Sequence, residues 1–464
     1  MKISTVKKKS KFKIILSVAG FFIFLSFIFS IYTIDLSPLV LLAILGIYLR
    51  DFYKSKDLPS FFDLGILVVL GILILVLTKE SFALSIYSFP AIGYIILITI
   101  LFNDLQLSLL FSLFISILAS GSIRDEMSFP VMVSLLSASF VSAILSYRVR
   151  TRFKIIKAGL MGGVVQFSVA VIGSNVGGSK FSLFSWELLR ICMLNGVLSA
   201  IVVLGLLPVF EVVFKVLTNI SLLELMDFNH PLLKRMLLEA PGTYQHSLVV
   251  ANLGETSAES IGANALLVRV GAYYHDVGKI PKAQYFVENQ IPYRDIHKSL
   301  KPSMSKLIII NHVKEGVELA KKYHLNPKII DFIVQHHGRS LVYYFYQRAK
   351  ELEPESGCEE EYRYPGPRPQ SKEVAIVSIA DTIEALSRTL DEPTPSRIRD
   401  LVKDVVRKKI MEGELDESDL TLKDLEKITD SFIRMLNAIF HTRINYPQDN
   451  GDKESTKPQE NKSK

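Results

Sequence analysis

Along the chain, apolar stretches long enough to be membrane helices give way near residue 219 to shorter amphipathic runs broken by Gly, Pro and polar residues. A bilayer-spanning helix needs about 20 apolar residues, because lipid cannot satisfy free backbone groups. Eight candidate spans follow: 13–34, 36–49, 62–78, 83–102, 106–120, 129–147, 155–175 and 189–218. The second and fifth are short. The last carries Pro208 and Glu211 and is expected to kink there. The first is longer than a usual signal-peptide core and lacks a small-x-small site near Tyr32-Thr33-Ile34, so it is expected to stay as an anchor.

Beyond the spans, no sustained two-residue alternation is present, and the runs have helical period. Helices are expected over 244–260, 264–276, 302–323, from Pro327 to His336-His337, from Lys372 through Asp381, over 396–412 and over 421–441. Thr243 is the expected N-cap of the first and Ser371 of the fifth. Residues 349–370 read as an acidic, Pro-rich loop and 448–464 as a polar, disordered tail. The predicted fold class is all-α: a polytopic helical membrane bundle followed by an all-α cytoplasmic domain. The expected boundaries are 1–35 for a basic segment and first anchor, 36–219 for seven further spans, and 228–447 for the helical domain.

Composition sharpens this division. The chain of 464 residues is 49% hydrophobic and carries a formal charge of +7. Residues 1–219 hold nineteen Lys and Arg against ten Asp and Glu, whereas the remainder is slightly acidic. The basic excess therefore lies among the spans, which argues against nucleic acid as a partner. With the N-terminus inside, Lys2, Lys7, Arg50, Lys54, Arg148, Arg150 and Arg152 fall on the inner side, and few cations fall outside. Eight spans then leave the C-terminal half in the cytoplasm. Two cysteines exclude a disulfide framework or a Cys-rich zinc module. The nearest intramembrane carboxylates, Asp104 and Glu211, sit at span ends, which does not favour a transporter.

All nine histidines lie in the second half. An ordered set stands out: His246, His275-Asp276, His312, His336-His337 and Asp381. Five imidazoles and two carboxylates without a thiolate favour Fe or Mn, and Zn also fits. Asp276 has two oxygens and can bridge two cations. Gly338 supplies the bend that lets both rings of the doublet aim at one place. His230, His297, His324 and His441 read as ordinary partnered side chains.

The order H…HD…H…HH…D resembles the HD phosphohydrolase superfamily in its dinuclear form. The segments Ala240-Pro-Gly-Thr-Tyr-Gln-His246, Tyr274-His-Asp-Val-Gly-Lys279, Ser303-Met-Ser-Lys-Leu-Ile-Ile-Ile-Asn-His312, Ala380-Asp381-Thr-Ile-Glu-Ala and Asp391-Glu-Pro-Thr-Pro are similar to those of the seven-transmembrane HD proteins. That resemblance implies a membrane-bound, metal-dependent cyclic dinucleotide phosphodiesterase that hydrolyses cyclic di-AMP to pApA. It implies two divalent ions, one held by His246, His275, Asp276 and Asp381, the other by Asp276, His312, His336 and His337. A pair of such ions can acidify water and clamp a phosphodiester. Lys279 is placed to neutralise phosphoryl charge; Glu315, a helical turn from His312, has two equal readings, one orienting that ring and one as an unrelated exposed carboxylate.

Many members of that family carry a large outer domain between the first span and the other seven, whereas here about Thr33–Leu36 separate them. The HD-GYP group, which cleaves cyclic di-GMP, continues its His doublet into Asp-Gly-x-Gly-Tyr-Pro. Here the doublet runs into Gly338-Arg-Ser-Leu-Val-Tyr-Tyr-Phe-Tyr, which favours cyclic di-AMP. Alternatives are an HD hydrolase for another nucleotide, or a membrane receptor that binds a nucleotide without cleaving it. The expected partners are the dinucleotide and the lipid bilayer of a bacterial inner membrane; assembly into a homo-oligomer stays open.

Overall fold

Two kinds of helix alternate with short connections in the computed structural model, which describes residues 65–66, 68–74, 86–121, 128–176, 186–290, 296–352 and 358–440. The expected spans 13–34 and 36–49, residues 62–64, 67 and 75–78 of the third, the tail 448–464 and His441 lie outside the described residues. No strand occurs among the described residues, only an isolated antiparallel bridge between Leu341 and Arg363. The fold is all-α, as the periodicity predicts. The chain divides into two units, 1–238 with 318–331, and 239–317 with 332–464.

The first unit contains α1 (Ala91–Phe102), α2 (Leu105–Ser120), α3 (Ser128–Ser146), α4 (Arg152–Val176) and α5 (Trp186–Phe214). Three of them, α3, α4 up to Gly173, and α5, are long and apolar enough to cross a membrane; α1 and α2 are shorter apolar helices. The outer face of α5 shows Leu198, Val209 and Val212, each more than half exposed. Lipid, unlike water, accepts such a face without cost. The helix runs past Pro208 to Phe214 as one element.

The inner faces carry small and polar residues instead. A Cβ at Gly163 would meet the Cys192 carbonyl, and one at Gly196 the Gly159 carbonyl, so α4 and α5 touch backbone to backbone. Before α1, the carbonyls of Tyr87 and Phe89 lie outside any long helix. Gln166 Nε2 donates to Tyr87 O at 2.8 Å, and Asn195 Nδ2 donates to Tyr87 O and Phe89 O at 3.1 Å each. Buried amides thus satisfy backbone groups that lipid cannot. The two end-of-span carboxylates are structural: Asp104 caps α2 through Leu107 N at 3.1 Å, and Glu211 accepts from the hydroxyls of Thr218 and Ser221. Thr218 caps α6 (Asn219–Leu225), and α7 (Pro231–Glu239) follows.

The second unit is built on α8 (Pro241–Ile261), which packs against α9 (Ala265–Tyr274) and later helices. Next come α10 (Pro302–Lys322) and α11 (Pro327–Gln335), which belong to this unit through Val317 and from Phe332 respectively. Four more helices complete it: α12 (Tyr343–Leu352), α13 (Lys372–Ser387), α14 (Pro395–Met411) and α15 (Leu422–Ile439). Val250, Leu253, Val270, Ile376, Ile379 and Phe432 form its dry centre. Ser371, Thr394 and Thr421 cap their helices with side-chain oxygens, as such residues do.

Two local expectations change. Pro241 occupies the first helical position of α8, with Ala240 as the cap, so Thr243 lies inside the helix. Proline suits that position because its missing N–H needs no partner there. The loop expected over 349–370 begins inside α12, whose Phe345, Tyr346 and Ala349 pack on Tyr362. The polar string from Lys350 onward hid an aromatic face that starts earlier.

Gly196→Val should destabilise the first unit by about 1–3 kcal/mol or more, the cost of overpacking a tight contact. Thermal unfolding of the full chain in detergent should show this as a lower midpoint. Gly205→Ala, at a position with open space around it, should not.

Candidate metal centre

Five imidazoles converge where two helices end and two others pass. His246 lies one turn into α8, His275 follows the last residue of α9, His312 sits mid-way along α10, and His336 and His337 follow α11. Asp381 projects from α13. The chain after Asp276 forms a 3-10 turn, Val277–Tyr285. A Cβ at Gly278 would run into the His312 carbonyl and the Gly316 backbone, so only glycine lets this turn lie on α10 and bring His312 to Asp276. Gly338 has φ +55°, which reverses the chain after the doublet.

Backbone and carboxylate acceptors fix the rings. The Nδ1–H of His275 donates to the Ala272 carbonyl at 2.7 Å, that of His312 to Ile309 O at 2.5 Å, and that of His336 to Phe332 O at 2.9 Å. His246 Nδ1–H donates to Glu384 at 2.5 Å. Each of these four rings therefore turns Nε2 toward the centre. The Phe332 carbonyl also accepts the His336 backbone N–H at 3.2 Å, so it serves ring and backbone together. His337 is oriented differently, stacked on Tyr364 with centroids 4.2 Å apart and with Nδ1 3.6 Å from Asp381 Oδ2.

Asp276 is 1% exposed and stands among these nitrogens. Its Oδ2 lies 3.3 Å from His275 Nε2 and 3.6 Å from His246 Nε2, and its Oδ1 lies 3.4 Å from His312 Nε2 and 3.7 Å from His336 Nε2. Its Oδ1 has no hydrogen-bond partner, nor does His275 Nε2, and Oδ2 has only the Lys279 ammonium 2.7 Å away. Buried carboxylate oxygens left this way are costly unless a cation satisfies them. His312 Nε2 and His336 Nε2 approach to 3.4 Å, both with their other nitrogen already donating. The residues thus fit metal ions. Two groups of four can hold one: His246, His275, Asp276 and Asp381, and Asp276, His312, His336 and His337. Asp276 belongs to both.

The electrostatics divide the rings. Burial opposes charge on His246, but Asp381 and Glu384 outweigh it and raise its pKa to about 9. Burial is likewise outweighed at His275, where Asp276 and Asp381 raise it to about 10. Burial and the charge on His275 push His336 down to about 3, and burial lowers His312 and His337 as well. Asp276 is held well below the carboxylate range: burial works against this, but Lys279 and His275 prevail.

Lys279 Nζ stands 2.7 Å from Asp276 Oδ2 and donates to Glu288 Oε1 at 2.9 Å. Glu288 also accepts from Thr243 Oγ1 at 3.1 Å, which gives Thr243 a use other than capping. Glu315 does not reach His312. It accepts from Lys282 Nζ at 2.7 Å and Asn311 Nδ2 at 2.6 Å, while Ile309 O holds the ring. Sequence reading missed Glu384, which supports His246. The cue was present, since Glu384 lies three residues after Asp381 on one helix and shares its face. His297 is a core residue bonded to Ser305 and to Tyr285 O. A cavity of about 880 Å³ opens on the cluster and is walled by Lys279, Phe286, Tyr364, Thr382, Arg388 and Lys409, among others.

A unit of long apolar helices followed by a helical unit with a His/Asp cluster around one shared carboxylate is the arrangement of a membrane protein with an HD-type domain. The comparisons with known proteins agree. Residues 28–218 match the family described as 7TM receptor with intracellular HD hydrolase, and residues 243–386 match the HD domain. The two halves of the chain are thus similar to the two parts of that family. It is 36% identical over 426 residues to the cyclic-di-AMP phosphodiesterase PgpH of Bacillus subtilis, covering 88% of this chain and 60% of the relative. It is 37% identical over 398 residues to PgpH of Listeria monocytogenes serotype 1/2a, covering 86% of this chain and 54% of the relative. The chain thus spans little more than half the length of these relatives. The crystal structure of the L. monocytogenes PgpH HD domain with cyclic-di-AMP is 47% identical, with a TM-score of 0.44, covering 47% of this chain and all of that one.

Glu384→Gln should weaken metal retention about 10–100-fold, as loss of a ligand's outer partner does. Metal content after dialysis against graded chelator would report it, with Glu315→Gln unchanged. Metal uptake should also release protons, because His246 and His275 are charged at neutral pH and must free Nε2. Loading should therefore weaken as pH falls from 8 to 6. Titration calorimetry in buffers of different ionisation enthalpy measures the proton count.

Proposed function

We propose that the protein is a membrane-bound, metal-dependent phosphodiesterase that opens cyclic di-AMP to linear pApA. The hydrolase domain is 228–447, following an anchor within 1–35 and seven spans in 36–219, and it faces the cytoplasm. One observation carries the reading: Asp276, buried and with the Lys279 ammonium its one direct partner, joins two four-residue groups beside a cavity of about 880 Å³. The names of the two relatives, each a cyclic-di-AMP phosphodiesterase, support the substrate.

In this reading His246, His275, Asp276 and Asp381 hold one divalent ion, and Asp276, His312, His336 and His337 hold a second, with Fe or Mn preferred by the oxygen and imidazole donors. Bound there, such ions supply an acidified water and charge neutralisation for phosphodiester cleavage. The chain's own residues do the rest. Asp276 keeps the two halves of the centre in register, and Glu384 holds His246 in one tautomer. Lys279, anchored by Glu288, presents its ammonium to the phosphoryl oxygens. Burial keeps competing water out of most of the cluster, since His275, Asp276, His312 and His336 are at most 1% exposed. Hydrolysis forms a P–O bond to the water oxygen and breaks the P–O3′ bond. The 3′ oxygen leaves with a proton, and the product carries a 5′-phosphate.

The full chain, purified in detergent and loaded anaerobically with Mn or Fe, should convert cyclic di-AMP to pApA on chromatography, and cyclic di-GMP at least tenfold more slowly. Conversion of neither removes this reading; tight binding without turnover would leave a receptor. Asp276→Ala should abolish turnover and lower metal content, since both groups use it. A reporter active only outside the cytoplasm, fused to the C-terminus, should stay silent.

A further inference from the structure

Lys409, near the end of α14, is 6% exposed, yet its ammonium donates to one neutral group, Ser378 Oγ, at 3.0 Å. Among the described residues it forms no ion pair. Asp381, Glu414 and Glu412 act on it only from greater distance. Taking an ammonium out of water costs several kcal/mol unless an anion answers it, and an apolar isostere at such a place is often neutral or stabilising. Burial outweighs those three carboxylates and lowers its pKa, so the fold leaves this charge under-compensated. Lys409 lines the same cavity as Lys279 and Asp381. Its neighbour Lys408 lines it too, over the Tyr343 ring at 5.6 Å and only 3.9 Å from Glu412. Lys279, by contrast, is paired with Asp276 and Glu288 and stands at the phosphodiester that is cut.

A cyclic dinucleotide carries two phosphodiesters of equal charge. Only one can lie at the Asp276 centre, so the other must find a cation elsewhere in the cavity. We propose that Lys409, assisted by Lys408, forms an anion subsite that takes the second, uncleaved phosphodiester. This rests on the dinucleotide reading above. It explains why a lysine is buried on α14 with only Ser378 to hold it. It also makes Lys409 a binding determinant that selects a ligand with two phosphates.

Binding in chelator separates this subsite from metal chemistry. With the full chain in detergent and excess EDTA, Lys409→Met should loosen cyclic di-AMP at least tenfold in titration calorimetry, about 1.4 kcal/mol. Inorganic phosphate, an anion without bases, should lose affinity by a similar factor. Metal content after reloading and the unfolding midpoint should hold or rise. Unchanged affinity for both probes overturns the subsite. Metal content and midpoint falling together overturn it as well, since they would make Lys409 a prop for Asp381. Wild-type protein that binds phosphate through Lys409 but ignores cyclic di-AMP would keep the anion site and remove the dinucleotide reading instead.

Discussion

A carboxylate sealed from water must be answered by positive charge, and Asp276, with one ammonium at Oδ2 and no hydrogen bond at Oδ1, is that group here. The second unit is organised to meet this demand. Carbonyls of Ala272 and Phe332, in the last turns of α9 and α11, hold the rings of His275 and His336, and Gly278 lets the following turn reach α10. Lys279 stands at one oxygen, and imidazole nitrogens stand within 3.7 Å of both. Burial raises the energy of each unpaired charge, so every neighbour's placement becomes strongly coupled to the others.

The membrane unit obeys a different constraint. Lipid offers no hydrogen bonds, so each irregular backbone group needs a partner from the chain. Gln166 and Asn195 serve the carbonyls of Tyr87 and Phe89, while Gly163 and Gly196 let α4 and α5 approach until their backbones touch. The polar side chains within this unit thus work as internal solvent for the backbone. Asp104 and Glu211 have the same structural character, one as a cap and the other as an acceptor for hydroxyls.

Much of the centre was legible because its residue types are chemically redundant for any other purpose. A His-Asp pair at a helix end, a His doublet before glycine and a distant aspartate have no common structural use. Helix positions were legible to within a few residues where apolar periodicity was clean, as in α10, α14 and α15. Thr243 and α12 were misread because a proline at the first helical position displaces the expected cap, and because a polar string masked the aromatic face of Phe345 and Tyr346. Glu315 was a reasonable guess from spacing, but Lys282 and Asn311 claim it.

The sequence alone determined the helical class, the division between apolar and polar halves, and the residue types that could gather around ions. Those follow from period, hydropathy and ligand chemistry, all of which are local. Only the tertiary structure decided that Glu384 and not Glu315 steadies a ring, that Glu288 anchors Lys279, and that Lys409 is buried without an ion pair. Such choices depend on which side chains from distant segments meet out of water, and no spacing along a chain encodes that distance.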